Sequence, residues 1–274
     1  MMQYDKTVVL KIGGKVLDNE AQVQALLSAF SEVKANKVIV HGGGSHVDRI
    51  LKALSIEPKF INGRRITDKK TLEVVAMVLN GQINAQIVAN LNANNTKSLG
   101  LSGVDCGLVR SIKRARKTHD FGFVGDVVDV DASFLQTLFY QGVIPVIAPL
   151  SCDKAGQLLN VNADTVACEI ASALAKQYKH QVRLLYCFDL AGVYQNISEP
   201  ESLFSALSFD DYIGYKDQGV ITDGMIPKLE NCFNALNNKV KEVYLSNTDG
   251  IIAQLAGLPQ KSGTFLRGIN HDNV

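Results

Sequence analysis

The residues best suited to chemistry begin with Lys11-Ile12-Gly13-Gly14 and Gly42-Gly43-Gly44, each closing a β-rich apolar run. Glycines at such turns let backbone N–H groups approach an anion with no Cβ in the way. The N-terminus of a following helix adds donors and a favourable dipole. With the Lys11 ammonium nearby, a negative group between the two turns would be well held. The same glycines could make tight turns and nothing more, and from glycine count alone the two readings weigh evenly. Gly42-Gly43-Gly44-Ser45-His46-Val47 lacks the last glycine of G-x-G-x-x-G, and no G-x-x-x-x-G-K-[ST] occurs. A dinucleotide fingerprint and a P-loop are therefore disfavoured.

Four further segments carry candidate groups. Arg64-Arg65 follows Asn62-Gly63, and one guanidinium can grip a carboxylate in a bidentate pair. Paired arginines are more often a solvated edge. In Asn160-Val161-Asn162-Ala163-Asp164 the polar residues alternate at the end of an apolar run and open a helix, where they could be caps alone. Asp189-Leu190-Ala191-Gly192-Val193-Tyr194 stands at the C-terminal end of a strand, where α/β sheets bind ligands. Thr222-Asp223-Gly224-Met225-Ile226-Pro227-Lys228 puts Lys228 in the first turns of a helix, where a lone lysine is usually solvated. The basic run Lys113, Arg114, Arg116, Lys117 lacks interleaved aromatics and reads as a loop face. The histidines show no metal-ligand spacing, and His41, beside the glycines, reads as structural.

The elements that must position these groups alternate. Thr7–Ile12 and Val38–Val40 read as strands, each followed by a helical pattern: Val23, Leu26, Leu27, Phe30 after Asp18 as cap, then Val47, Ile50, Leu51, Leu54. Such alternation predicts βαβ units and a mainly parallel sheet. Asn62-Gly63 predicts a hairpin turn, and Asp68 caps a long helix to about Asn92. Strands are predicted at Ser98–Leu101, Leu108–Ile112, Phe121–Val130, Val143–Leu150, Val182–Phe188, Val243–Ser246 and Thr264–Ile269. Helices are predicted after Asp131, from Asn162, over Phe209–Gln218 and from Gly224. Asn196–Ser202 reads as a surface loop.

The 274 residues allow one large α/β domain or two lobes, here 1–180 and 181–274, with no flexible linker at the soft boundary. Lys plus Arg is 28 against 27 for Asp plus Glu, so no global field favours nucleic acid or an anionic membrane. No apolar run reaches a membrane span, and Met1–Lys11 lacks the parts of a signal peptide. Five scattered cysteines without C-x-x-C argue against a disulfide framework or zinc site and suit a reduced cytoplasm.

Taken in order, KIGGKVLD at Lys11–Asp18, VHGGG at Val40–Gly44, NGRRIT at Asn62–Thr67, LNVNAD at Leu159–Asp164, DLAGVY at Asp189–Tyr194 and ITDGMIPK at Ile221–Lys228 resemble the amino acid kinase superfamily. Within it, the chain looks like the members that phosphorylate N-acetyl-L-glutamate in the second step of arginine biosynthesis. The resemblance implies a three-layer αβα sandwich. Its N-terminal lobe would hold the acylated amino acid and its C-terminal lobe ATP, with Mg²⁺ bridging the β- and γ-phosphates. It assigns Lys11 and Lys228 to stabilise the transferring phosphoryl and Asp164 to orient them. Gly43, Gly44, Arg65 and Asn160 would hold the acceptor. Gly13, Gly14, Asp189–Tyr194 and Val220, Ile221 and Thr222 would line the nucleotide. A carboxylate acceptor is already ionised near neutral pH, so no general base is needed; the work is positioning and electrostatics.

Two departures matter. Ser45-His46 follows the glycines where acyl pockets differ among relatives, so N-succinylglutamate is an alternative acceptor. No long helix precedes the first strand, which by the resemblance implies a plain homodimer without arginine feedback. Kinases for carbamate, aspartate, glutamate or UMP are rivals on the same fold. A silent amino-acid-binding module is a rival of another class, one that need not keep Lys11, Asp164 and Lys228 together.

Overall fold

The computed structural model describes residues 4–61, 63–116, 118–179, 181–222, 224–259 and 262–268. The first run forms β1 (Lys6–Ile12), then α1 (Glu20–Ser31), β2 (Asn36–His41) and α2 (Gly44–Ala53). In α1 the cap is Asn19, whose side chain accepts from the Gln22 N–H. Asp18 instead ends a short turn, Val16–Asp18, and accepts from Ser45 Oγ. The hairpin forms as β3 (Phe60–Ile61) and β4 (Arg64–Arg65); Asn62 lies outside the described residues.

Asp68 caps the long helix through the Thr71 N–H. That helix runs as α3 (Lys69–Val75), a widened π-helical stretch (Ala76–Ile83) and α4 (Asn84–Ala93). By length and composition it could cross a membrane. Leu72, Val75, Leu79, Ile83, Ile87 and Leu91 are instead buried in the core, as in the central helix of a globular fold.

The chain continues through β5 (Ser98–Ser102), β6 (Val109–Lys113), β7 (Gly125–Val130) and α5 (Ser133–Tyr140). The predicted strand Val143–Leu150 divides at Pro149 into β8 (Ile144–Ala148) and β9 (Leu150–Cys152), which belong to different sheets. Proline has no N–H to continue a ladder, so the strand turns there. β10 (Leu158–Asn160) returns on β9 and leads into α6 (Ala163–Gln177). The remainder is β11 (Gln181–Cys187), β12 (Ala206–Ser208), α7 (Phe209–Asp217), α8 (Met225–Asn237), β13 (Glu242–Ser246), α9 (Thr248–Leu255) and β14 (Thr264–Arg267). Ile269, at the end of the predicted last strand, lies outside the described residues.

Eight strands form the central sheet in the order β12-β14-β13-β11-β1-β2-β8-β5, parallel throughout except between β13 and β14. Alternation along β1 sends Val8, Leu10 and Ile12 into a core with α1, α2, the long helix and α9. Val9 points into the opposite core with α5, α6 and α8. This is the three-layer αβα arrangement. Lys11 shares the Val9 face but sits at the strand's C-terminal end. A second sheet, β10-β9-β6-β7, flanks the first half.

β1 pairs with β2 on one side and β11 on the other, so strand order reverses between β1 and β11. The crevice beyond the C-terminal ends at such a switch point is where open α/β sheets bind ligands. The sheet is continuous across the expected lobe boundary near residue 180, which falls between α6 and β11.

Candidate active site

At the switch point, Lys11 lies in register with Tyr186 of β11. Asn162 caps α6 by accepting from the N–H groups of Asp164 and Thr165 at 2.8 and 3.1 Å. That cap fixes Asp164 in the first turn, where the helix dipole favours a carboxylate. Its Oδ1 meets Lys11 Nζ at 2.6 Å and its Oδ2 meets Lys228 Nζ at 2.8 Å. Lys228 arrives from the first turn of α8, with Pro227 tolerated beside it because early helical N–H groups lack partners anyway. The Lys11, Asp164 and Lys228 side chains are 7%, 16% and 14% exposed. Tyr186 lies against both ammonium groups, with its ring centroid 5.5 Å from Lys11 Nζ and 5.2 Å from Lys228 Nζ. Its hydroxyl donates to the Asp164 carbonyl at 2.9 Å.

Burial alone would raise the Asp164 pKa, but Lys11 and Lys228 outweigh it and hold the carboxyl well below the usual range. Asp164 is therefore an ionised anchor and not a base. Burial, reinforced by Lys228, pushes Lys11 down despite the attraction of Asp164. Lys228 is also opposed by burial, yet Asp164 lifts it above its ordinary value. Two ammonium groups and one carboxylate leave one net positive charge aimed at the crevice.

The glycine turns lie side by side because β1 and β2 are neighbours; the Gly42 N–H donates to the Ile12 carbonyl at 2.8 Å. The Gly13 N–H is committed to the Cys187 carbonyl at 2.8 Å. A Cβ on Gly14 would lie 3.1 Å from the amide nitrogens of both Gly43 and Gly44. Gly43 has φ +149°, and a Cβ there would meet Ile83 at 2.2 Å. Only glycine fits at Gly43.

His41 Nδ1 lies 2.8 Å from the Gly42 carbonyl, and its Nε2 lies 3.1 Å from Asn84 Nδ2. A carbonyl only accepts, so the network assigns the proton to Nδ1 and makes Nε2 the acceptor. The Asn84 amide nitrogen shares its two hydrogens among His41 Nε2 and the carbonyls of Val146 and Leu101, at 2.9 and 3.2 Å. Burial pushes His41 down to about 4, against the pull of the Gly42 carbonyl.

On the β2 side, Arg65 pairs with Asp48 of α2 and donates from Nη2 to the Gly44 carbonyl at 3.2 Å. Its guanidinium stacks over Phe60, 4.8 Å from the ring centroid. Asn160 donates to Thr67 Oγ1 at 3.0 Å, two residues beyond Arg65.

On the β11 side, a cleft of about 270 Å³ joins Lys11, Gly13, Gly14, Lys228, Asp189 and Leu190. The next residues brace its wall. The Ala191 carbonyl accepts from Ser246 Oγ at 3.1 Å. Gly192, at φ +156°, packs against Leu203 and Thr264. The buried Val193 donates its N–H to Thr264 Oγ1 at 2.8 Å, and Tyr194 bridges to Leu203. Val220 and the buried Ile221 donate to the Tyr215 carbonyl, and the Thr222 carbonyl accepts from the Met225 N–H as α8 begins. Asp223 lies outside the described residues.

Sequence reasoning missed Lys15, Asp48 and Tyr186. Asp48 is an ordinary helical aspartate until its pairing with Arg65 is seen. Tyr186 becomes visible only once β1 and β11 are known to pair. No group of three or more metal-capable side chains occurs among the described residues.

The Amino acid kinase family matches over residues 6–247. An acetylglutamate kinase from Parabacteroides distasonis is 45% identical over 260 residues, covering 95% of this chain and 98% of that one. One from Bacteroides thetaiotaomicron is 46% identical over 247 residues, covering 90% and 95%. Among solved structures, carbamate kinase from Giardia lamblia bound to AMP-PNP superimposes with a TM-score of 0.66 at 15% identity, covering 96% of this chain and 99% of that one. N-acetylglutamate synthase from Neisseria gonorrhoeae, complexed with coenzyme A and N-acetyl-glutamate, gives 0.79 at 20% identity, covering 97% of this chain and 60% of the longer one. These two structures speak to the fold.

The His41 tie predicts an acid sensitivity. Between its ordinary 6.5 and about 4, the unfolded chain binds a proton that the folded imidazole refuses. Stability falls as pH drops through that window, by up to about 3 kcal/mol at roughly 1.4 kcal/mol per pKa unit. Asp164 contributes in the same sense but lower down: its stabilisation is complete above the usual carboxylate range and is lost as pH falls through its depressed value. Urea unfolding of wild type and His41→Gln at pH 7, 6 and 5 should show a loss in wild type that the variant lacks. Parallel losses would remove His41 as the cause.

Proposed function

The chain belongs to the amino acid kinase family, and we propose that it transfers the γ-phosphoryl of ATP to the γ-carboxylate of N-acetyl-L-glutamate, the second step of arginine biosynthesis. The observation that carries this reading is the pairing of Lys11 and Lys228, 217 positions apart, on one carboxylate beside the turns at Gly14 and Gly43-Gly44. A carboxylate oxygen of the acceptor attacks the γ-phosphorus, the bond to the β–γ bridging oxygen breaks, and ADP leaves. Both partners are anions. The first requirement is to bring them together; the second is to stabilise charge spreading over the migrating group and building on the leaving oxygen. Lys11 and Lys228, held by Asp164, supply that stabilisation, and Gly14, Gly43 and Gly44 supply backbone donors.

Arg65, Gly44 and Asn160 belong to the acceptor, with Arg65 as the clamp on its α-carboxylate. The residues flanking the cleft at Gly13, Gly14 and Asp189 through Tyr194, with Val220, Ile221 and Thr222, belong to the nucleotide. The two halves, 1–180 and 181–274, divide the two substrates between them. Mg²⁺, which partly neutralises the phosphate chain, suits a site whose buried carboxylate, Asp164, is taken up by two lysines. Such an ion is held mostly by phosphate and water. The homodimer and the cytoplasmic setting rest on the family likeness and, for the compartment, on five unpaired cysteines.

One observation favours N-succinyl-L-glutamate as a second acceptor. Arg64, on β4 next to the clamp, lines a cavity of about 360 Å³ with Arg114, Thr118, His119 and Phe121. Arg114 is matched by Asp126, whereas Arg64 has no carboxylate partner among the described residues. The Phe121 carbonyl accepts from the Thr67 N–H at 2.9 Å, so this cavity adjoins the Thr67–Asn160 contact. A second carboxylate at the end of an acyl arm would find a free cation there.

Coupled ADP release with N-acetylglutamate, N-succinylglutamate, carbamate and UMP tests the acceptor. Turnover of UMP or carbamate without either acylglutamate would end the reading. Lys11→Ala and Lys228→Ala should each lower kcat by roughly 100-fold or more, the scale of losing a transition-state contact; near-normal turnover in both would remove them from the chemistry. Arg65→Ala should raise KM for the acyl amino acid far more than KM for ATP. Arg64→Leu should weaken N-succinylglutamate more than N-acetylglutamate, and equal effects would discard the second acceptor.

A further inference from the structure

The cleft holds a third cation that no part of the reading above uses. Lys15 follows Gly14 directly, and its Nζ pairs with Asp189 Oδ2 at 2.8 Å. The two residues stand on the turns that follow β1 and β11, so the pair spans the mouth of the crevice at the switch point. Both line the same cleft as Lys11 and Lys228. Lys15 differs in exposure: its side chain is 74% exposed and that of Asp189 44%, against 7% and 14% for the two buried lysines. Exposed ion pairs contribute little to stability, so this one is easily exchanged for a stronger partner. The buried lysines are tied to Asp164 inside the fold and cannot follow an incoming ligand outward.

We propose that Lys15 is a positioning residue for the polyphosphate, a cation that gives up Asp189 for the phosphate chain as a nucleoside triphosphate enters between the two turns. The inference rests on the kinase reading and adds to it a partner exchange at the cleft mouth. Charge favours the exchange. The polyphosphate carries several negative charges against the one on Asp189, and the Asp189 carboxylate, nearly half exposed, turns to water when released. The net charge presented to the phosphate chain rises from one, left by Lys11, Lys228 and Asp164, to two. An exposed lysine on a glycine turn suits this role because an ammonium is a point charge on a flexible stem and need not match a fixed planar geometry.

Calorimetric titration of the full chain with MgATP, acceptor absent, reads nucleotide binding apart from turnover. Lys15→Met, which keeps the apolar stem, should weaken MgATP about tenfold, the scale of one charge-assisted hydrogen bond. The same change should flatten the dependence of affinity on salt, and Lys15→Arg should restore most of the loss. Asp189→Asn should tighten MgATP when Lys15 is present and lose that effect in the Lys15→Met background. In turnover, Lys15→Met should raise KM for ATP with little change in KM for the acceptor. Wild-type affinity and salt dependence in Lys15→Met would overturn the proposal, as would an Asp189→Asn effect of equal size in both backgrounds. If wild type itself fails to bind MgATP, the kinase reading falls and this proposal with it; if wild type binds and Lys15→Met matches it, only this proposal falls.

Discussion

One carboxylate between two ammonium groups sets the terms for the rest of the structure. Without Asp164, Lys11 and Lys228 would face each other as buried like charges, and an unpaired buried ammonium costs several kcal/mol. The fold must therefore deliver three residues from three elements to one point. β1 brings Lys11 to its C-terminal end on the face covered by α6 and α8. The Asn162 cap sets α6 so that its first turn, and not its second, meets the strand. α8 begins close enough for Lys228 to reach the same carboxylate. Tyr186 closes the rear: its ring faces both cations, and its hydroxyl donates to the Asp164 carbonyl, fixing the backbone that carries the carboxylate.

The long helix shapes the other half of the site by a less direct route. Ile83 closes its π-helical stretch, and Asn84 comes next. Ile83 occupies the space a Cβ on Gly43 would need, while Asn84 anchors the imidazole that holds the Gly42 carbonyl. Two successive residues thus determine both the shape of the glycine turn and its orientation. Widened helical segments often occur at functional sites. Here the widening is where a core helix meets the turn that must leave its N–H groups free.

Much of this was legible in the sequence, and the failures have identifiable causes. Apolar periodicity located the long strands and the helices because each buries one face of regular period. It placed Val143–Leu150 as one strand because both pieces are buried, and only Pro149 marks the passage between sheets. The three-residue strands β9, β10 and β12 are too short to show any period. The first cap falls one residue later than expected because Asp18 and Asn19 are both able caps, and Asp18 instead accepts from Ser45 Oγ across the fold. Lys11 stands out locally beside its glycines, but Asp164 and Lys228 do not, since the distances that unite the three run across the whole chain. The motif resemblance supplied what spacing could not. Lys15 and Asp48 escaped because a lysine after a glycine turn and an aspartate on a helix are ordinary residues until their partners are known.

The balance of charge in the triad also argues for its use. A neutral pair would hold itself together but would offer an anion nothing. Two unpaired lysines would attract the ground state strongly and spend stability to do so, with flexible heads that must be ordered at each turnover. Asp164 removes one unit of charge and fixes the direction of the other two. The remaining positive charge points at the crevice before any ligand arrives. On the proposed reaction, charge moves along the phosphoryl axis while the lysines stay still, so their field need not reorganise as the transition state forms. Interactions that strengthen as that charge develops raise the rate, whereas tight binding of the starting anions would not. The carboxylate that appears to neutralise the site is what makes its remaining charge directional.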